Sequence, residues 1–313
     1  MKIKLYTSGY KDTWDGFVRN SKNGTFLFYR DFIEYHAERF EDYSLMFYLD
    51  GALVALMPGH IEDRVFYSHR GLTYGGLIMN DKTTAADVLS IFKHLTITFR
   101  CQGIKKIVYK TVPHIYHRLP AEEDLYALFI CKAALKIRNI SSTILLSDKI
   151  KYSELRRRGL KKAQRKGLTI KKTPDFSDFW EILSLNLKEK YETRPVHSLP
   201  EINYLKEKFP HNIHLFTVTD TNDRTLGGCL IFETDKVAHV QYVAATDEGK
   251  RLGVVDLVID HIINTAYPHK RYFDYGISTE DNGLYLNENL IRQKEGFGAR
   301  GTVHDIYTID LSL

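Results

Sequence analysis

The apolar and polar positions of this 313-residue chain run through one order of elements twice. In the first half, two apolar runs, Leu45 to Leu49 and Ala52 to Leu56, flank Asp50-Gly51, the signature of a β-hairpin. A third β-rich run, Arg64 to Tyr67, precedes a glycine-rich stretch from Gly71 to Gly76. A helical spacing then extends from about Thr84 to Arg100, and a last strand covers Ile104 to Tyr109. In the second half, His214 to Val218 leads through Asn222-Asp223 into Thr225 to Phe232 and then Val237 to Val243. A loop bearing Gly249 and Gly253, a helix from about Val254 to Ala266 and the strand Tyr272 to Tyr275 complete it. The same succession in both halves predicts a duplicated α/β domain, with one site per half or one site between them.

Around these cores the sequence predicts an N-terminal strand, helices near Thr13 to Val18, Arg30 to Phe40 and Pro120 to Leu135, and a strand near Ser142 to Leu146. Ser153 is placed to cap a helix with a thin apolar stripe of Leu155, Leu160 and Ala163, and Gly167 is its stop. Leu168 to Ile170 opens the second half as a strand, followed by helices at about Phe176 to Glu192 and Leu199 to Phe209. The expected fold class is α/β (α+β), with two similar domains, each a mixed central sheet flanked by helices. The expected division is residues 1–147, a basic connecting helix over 148–170, and residues 171–313.

Composition narrows the setting. Apolar residues make up 43% of the chain, enough for a core in each half. Three widely spaced cysteines, Cys101, Cys131 and Cys229, fit a reducing compartment, each expected as a small buried apolar residue. No apolar run approaches the ~20 residues of a membrane span, and the N-terminus reads as a strand rather than a signal sequence. A cytoplasmic location is expected. The net charge of +5 is unevenly spread. Between Lys149 and Lys172 eleven Lys or Arg stand against the single acid Glu154, and elsewhere acids prevail. A local basic segment attracts phosphate or anionic headgroups.

Candidate chemistry centres on Lys250-Arg251-Leu252-Gly253-Val254-Val255, between a strand and a helix. Amides at such a junction and the partial positive charge of the helix start can hold a pyrophosphate, with Lys250 and Arg251 adding charge. The alternative is an ordinary strand-to-helix turn. Tyr74-Gly75-Gly76 occupies the corresponding place in the first half and reads either as a pocket lining or as a plain glycine turn. His114 and His117 have ligand-like spacing but no third partner, so packing or surface histidines are expected and no metal. Neither a Gly-x-Ser-x-Gly elbow nor a Gly-Lys-Ser/Thr loop is present.

The Lys250 to Val255 turn resembles the Arg/Gln-x-x-Gly-x-Gly/Ala turn with which GNAT acyltransferases cradle the diphosphate of acyl-CoA. Lys250 stands in the Arg/Gln position, Gly253 matches, and Val255 replaces the last small residue. The C-terminal third resembles the FemAB/FemX-like branch of that superfamily. There a Phe-Asp-x-Gly strand (here Phe273 to Gly276) precedes a variable loop and a Phe-Lys-x-x-Phe-Gly stretch (here Gln293 to Gly298, with Gln293 in place of Phe). The basic run Leu155 to Gly167 is similar to the branch's interdomain helix and reads either as a solvated linker or as a phosphate contact through Arg157, Lys161 and Arg165.

The resemblance implies two tandem GNAT-like domains and an N-acyltransferase. Its donor would be acyl-CoA, with acetyl-CoA the first candidate, or alternatively aminoacyl-tRNA, and its acceptor an amine on an amino sugar or cell-envelope precursor. A non-catalytic scaffold that binds RNA or another ligand is the reading of a different class. Acyl transfer needs an oxyanion stabiliser, a base and a proton donor. The resemblance assigns backbone amides around Val243 and Ala245 to the oxyanion and Lys294 to developing charge. Tyr242 and Tyr275 are candidate proton donors, and Asp274 is a base or anchor. Lys250, Arg251 and Gly253 would hold the donor, while Tyr74, Gly75, Arg157, Lys161 and Arg165 would contact substrate. No metal is implied.

Overall fold

From the N-terminus the chain forms β1 (Lys2–Leu5), α1 (Lys11–Arg19), α2 (Arg30–Ile33), β2 (Leu45–Leu49), β3 (Ala52–Met57), β4 (His60–Glu62), β5 (Val65–Tyr67), β6 (Ile78–Met79), α3 (Ala85–Cys101), β7 (Lys106–Lys110), α4 (Glu123–Ile130) and β8 (Ala134–Leu145). It continues with α5 (Glu154–Arg165), β9 (Thr169–Thr173), α6 (Ser177–Tyr191), α7 (Leu199–Lys208), β10 (Ile213–Thr219), β11 (Thr225–Glu233), β12 (Val237–Ala245), α8 (Asp247–Leu252), α9 (Val254–His261), β13 (Tyr272–Ile277), β14 (Thr279–Glu280), β15 (Tyr285–Leu286), α10 (Glu288–Glu295) and β16 (Arg300–Asp310). This computed structural model describes residues 1–312.

Two compact units result, and neither is a single stretch of sequence. The first comprises Met1–Ile140, Thr279–Tyr285 and the segment from Val303 onward; the second comprises Ser141–Ser278 and Leu286–Thr302. The sequence-based division placed its cuts at 147 and 170; the basic helix α5 lies within the second unit.

In the first unit β1, β2, β3 and β6 form an antiparallel sheet, and β4, β5, β7 and β16 a mixed one. β5 and β7 are parallel, with Val65 opposite Lys106, and α3 makes the crossover between them. A Thr84–Asp87 capping box starts α3. The helix turns Val88, Ile91, Phe92, Leu95 and Phe99 into a core shared with Phe47, Phe66 and Ile107. The second unit repeats the scheme with the order β9-β10-β11-β12-β13-β8. Only β12 and β13 run parallel among these neighbours, and α9 makes their crossover. Val254, Leu257, Val258 and Ile259 bury that helix on the sheet beside Ile231, Val240 and Phe273. The two-domain α/β fold expected from the repeat is the fold observed.

Local departures have physical causes. The helix expected to reach Phe40 stops at Ile33, and 3-10 turns follow, broken at His36 (φ −124°, ψ 30°). His36 packs its ring on Phe40 and His69 instead. The helix expected over Pro120 to Leu135 is α4 alone. Lys132 adopts a left-handed φ of 55°, which ends the helical path, and β8 begins at Ala134, well before Ser142. The loop expected between Gly249 and Gly253 is the helical turn α8, capped by Thr246 and closed by Gly253 in the left-handed region. Cys101 is exposed at the end of α3 rather than buried, Cys131 is half-buried, Cys229 is buried, and all three are free thiols.

Candidate active site

The second unit contains an opening in its sheet. β12 and β13 pair only over Val237–His239 against Tyr272–Asp274. Beyond that point β12 continues to Ala245 on β11 alone, with a bulge at Leu230/Ile231. The side chains of the last pair clasp the apex. Asp274 is fully buried; one carboxylate oxygen accepts from Ser141 Oγ (2.6 Å) and Thr143 Oγ1 (3.0 Å), and the other meets His239 Nδ1 at 2.8 Å. Asp274 therefore ties β8, β13 and β12 together where the two strands part. Gly276, at φ 76°, then turns β13 away.

Lys294 fills the mouth of the fork. Asn287 caps α10 by accepting from Leu290 N, which sets the helix so that Lys294 points inward. Its Nζ donates to the carbonyls of Gly276 and Ile277, both at 2.8 Å. Burial lowers its pKa to about 8, and the nearby Asp274 charge opposes the shift. Desolvation disfavours an ammonium, so a lysine held this way sits close to its titration point at neutral pH.

A chamber of about 620 Å³ occupies the fork. Its lining comes from α6, β12, α9, Tyr275 and α10, and is mostly apolar: Leu183, Leu187, Val243, Ile259, Leu290 and Phe297 among others. Tyr275 is buried and, among the described residues, its hydroxyl has no hydrogen-bond partner. Burial raises its pKa well above the usual phenol range, so it remains a proton donor.

Next to the chamber, sharing Lys250, Val255 and Gln293 with it, lies a cleft of about 1140 Å³. Arg156, Arg158, Lys162, Lys250, Arg251, Arg292 and Arg300 line it, against the acids Asp256 and Glu295. Ion pairs of Arg156 with Asp256, Arg158 with Glu154, Lys250 with Asp247 and Arg292 with Glu288 temper this charge, but the lining itself holds seven cations against two acids. A smaller groove of about 460 Å³ extends the surface along α5 through Arg158, Lys161, Lys162, Arg165 and Lys166.

The expected site residues separate accordingly. Val243, Ala245, Lys250, Tyr275 and Lys294 meet around the chamber; Lys250, Arg251 and Gly253 line the cleft; Lys161 and Arg165 line the groove. Arg157 is exposed on α5 and lines neither basic hollow. Tyr242 does not line the chamber; its hydroxyl meets His197 Nδ1 at 2.8 Å and its ring packs on Trp180. Lys250 Nζ donates to Asn186 Oδ1 (2.7 Å) and Asp247 Oδ1 (2.9 Å), and Asn186 in turn donates to Ala245 O. Tyr74 is interior to the first unit, its hydroxyl 3.0 Å from Thr25 Oγ1. Gly75 lies there too, where a Cβ would come within 2.0 Å of Ser68 O.

Sequence reading missed His239, Arg158, Lys162 and Arg292. The helical spacing of Arg158 and Lys162, four apart, was the available signal for two of them; the clasp of His239 on Asp274 depends on strand register.

Gly253 and Gly159 let α5 lie against the start of α9. A Cβ on Gly253 would fall 2.4 Å from Gly159 O, and one on Gly159 would fall 2.1 Å from Asp256 Oδ2. Gly253 also holds φ 86°. Gly253→Ala is expected to cost about 2–3 kcal/mol, combining left-handed strain with the clash. Denaturant titration checks this; Gly9→Ala, where a Cβ meets nothing, is the control.

Comparison with solved structures decides the fold. FemX superposes at a TM-score of 0.67 with 12% identity, over 97% of this chain and 97% of that one. The chain has the FemX fold. The same FemX-like architecture relates it to L-PGS from Bacillus licheniformis (TM-score 0.64, 10% identity, 96% of this chain and 92% of that one). It also relates it to a tandem GNAT protein from the clavulanic acid biosynthesis pathway (0.51, 9%, 100% and 99%). No family model and no curated protein matches the sequence. The FemX-like fold thus rests on three-dimensional likeness. Among the described residues, no helix is long and apolar enough to cross a membrane, and no cluster of His, Cys, Asp or Glu could hold a metal ion.

Proposed function

We propose that this protein is an acyltransferase that moves an acyl group from a phosphate-bearing carrier to an amine. The observation that carries the reading is the forked β12–β13 pair, with Lys294 in its mouth, next to a cleft rich in arginine and lysine. In this reading the donor's phosphates lie in the cleft and its carbonyl reaches the edge of β12 beyond His239, around Val243 and Ala245. The acceptor amine attacks the carbonyl carbon, forming a C–N bond as the carrier's C–O or C–S bond breaks. Lys294, as a cation, stabilises the developing oxyanion; the unpartnered Tyr275 hydroxyl gives its proton to the departing oxygen or sulfur and regains one from the proton that the attacking amine releases.

Two carriers fit. An acyl-CoA needs one phosphate cluster, which Lys250, Arg251 and the amides at the start of α9 supply. An aminoacyl-tRNA needs a longer track. The groove that continues from the cleft through the shared Arg158 and Lys162 to Lys161, Arg165 and Lys166 favours this second carrier. FemX and L-PGS share the fold that this reading uses, and the amine acceptor would belong to an amino sugar or a cell-envelope precursor. The basic residues would equally serve an RNA-binding scaffold without turnover.

The test is donor consumption by the full chain with a panel of amine acceptors, using aminoacyl-tRNAs and acyl-CoAs in parallel. Turnover with charged tRNA and none with acyl-CoA is the expected result. Turnover confined to acyl-CoA selects the other carrier. Salt-sensitive RNA binding with no turnover of any donor makes the protein a scaffold.

A further inference from the structure

The chamber between β12 and β13 has a chemical character beyond its place in the fork. Its cations, Lys190, Lys250 and Lys294, outnumber its one carboxylate, Glu189, which is exposed beside Lys190. Lys250 is already bound to Asn186 and Asp247, and Lys294 to two carbonyls. Apart from the amides of Asn186 and Gln293, the remaining wall is aliphatic or aromatic, from Leu183 and Leu187 of α6 to Ile259 of α9 and Leu290 of α10. The two interior polar groups, Lys294 Nζ and the Tyr275 hydroxyl, are assigned to the reaction itself.

Resting on the acyltransferase reading, we infer that the transferred acyl group carries an uncharged, apolar chain beyond its carbonyl, or beyond its α-carbon if the donor is an aminoacyl ester. Such a chain gains free energy by leaving water for this wall. A cationic chain would lose its hydration, meet no buried carboxylate and face the Lys294 ammonium. An anionic chain would also lose its hydration, and Lys250 and Lys294 are already engaged, while Lys190 is exposed to water beside Glu189. The acyl chain is thus selected by what the chamber lacks, as much as by what it contains.

The test compares kcat/KM for matched donors on both carriers. Leucyl-, glutamyl- and lysyl-tRNA form one series; hexanoyl-, succinyl- and β-alanyl-CoA form the other. The apolar member is expected to exceed the cationic one by on the order of a hundredfold, whichever carrier is used. Equal or better use of the lysyl or β-alanyl donor overturns the inference while leaving the acyltransferase reading intact. Failure of every donor on both carriers removes that reading and the inference with it. A second measurement uses Val243→Asp, at a chamber-lining position 38% exposed and therefore tolerant of a carboxylate. This variant is expected to move the cationic-to-apolar ratio at least tenfold toward the cationic donor. An unchanged ratio in a cooperatively folded variant would show that the acyl chain does not lie against β12, and would sink the proposal.

Discussion

Replacing Lys162 and Arg251 together by Glu is expected to weaken donor binding by at least about a hundredfold while leaving the unfolding transition cooperative. Both line the large cleft, Lys162 from α5 and Arg251 from α8. Phosphate contacts by lysine and arginine act through counterion release, so each lost contact flattens the dependence of log K on log salt by somewhat under one unit. The double variant should therefore show a salt slope shallower by about 1.5. Charge reversal adds repulsion to the loss. The control is Lys2→Glu with Lys4→Glu on β1, the same change in net charge in the other unit. Equal weakening by both pairs would reduce the cleft to general electrostatic steering. A binding isotherm at three salt concentrations distinguishes the two.

The second large effect concerns Lys294. Lys294→Met is expected to lower turnover by on the order of a hundredfold, with a smaller change in donor affinity, because the ammonium acts mainly on charge that develops during the reaction. The folded-state pKa of about 8 gives this a pH signature. As pH rises through about 8 the wild type loses the cation, so its turnover should fall along a limb that the variant lacks. Rising turnover over the same range would mean that neutral Lys294 is a base, and the assigned role would be wrong. Stability reports the same group independently. Its folded pKa lies below the unfolded value of 10.5, so the unfolded chain binds more protons between pH 8 and 10.5. The cost of the buried charge is present in full below pH 8 and is relieved as pH rises through that window. The wild-type melting temperature should accordingly gain on that of the variant between pH 8 and 10.

The repeat in the sequence was legible because each half keeps the same succession: short, largely apolar runs through β2 and β3 or β10 and β11, then helical spacing through α3 or α9. The catalytic side was less so. Lys294 and the edge of β12 came from resemblance, since nothing in Gln293-Lys294-Glu295 distinguishes a buried lysine from a solvated one. Asp274 was visible as a strand-end acid, but its bonds to Ser141, Thr143 and His239 depend on which strands become neighbours. On α5 the charge density was plain and the facing was not. Arg157, Lys161 and Arg165 share a helical stripe, yet Ala163 and the Gly159 contact fix the helix so that Arg158 and Lys162 turn toward the cleft. Which cations face a ligand is set by the apolar side of the helix.

The strand β16 also governs when the protein can be finished. It pairs with β7 from Ile306 opposite Lys110 to Asp310 opposite Lys106, and Ile309 and Leu311 are buried in the first unit's core. A chain that ends at Ile140 therefore lacks β14, β16 and two buried core residues of the first unit. Its β7 edge stays open, a template for association with other chains. The second unit is complete at Thr302. The first unit therefore closes only when β16 is in place, and deleting the segment from Val303 onward should damage the first unit more than the second, to which that segment does not belong.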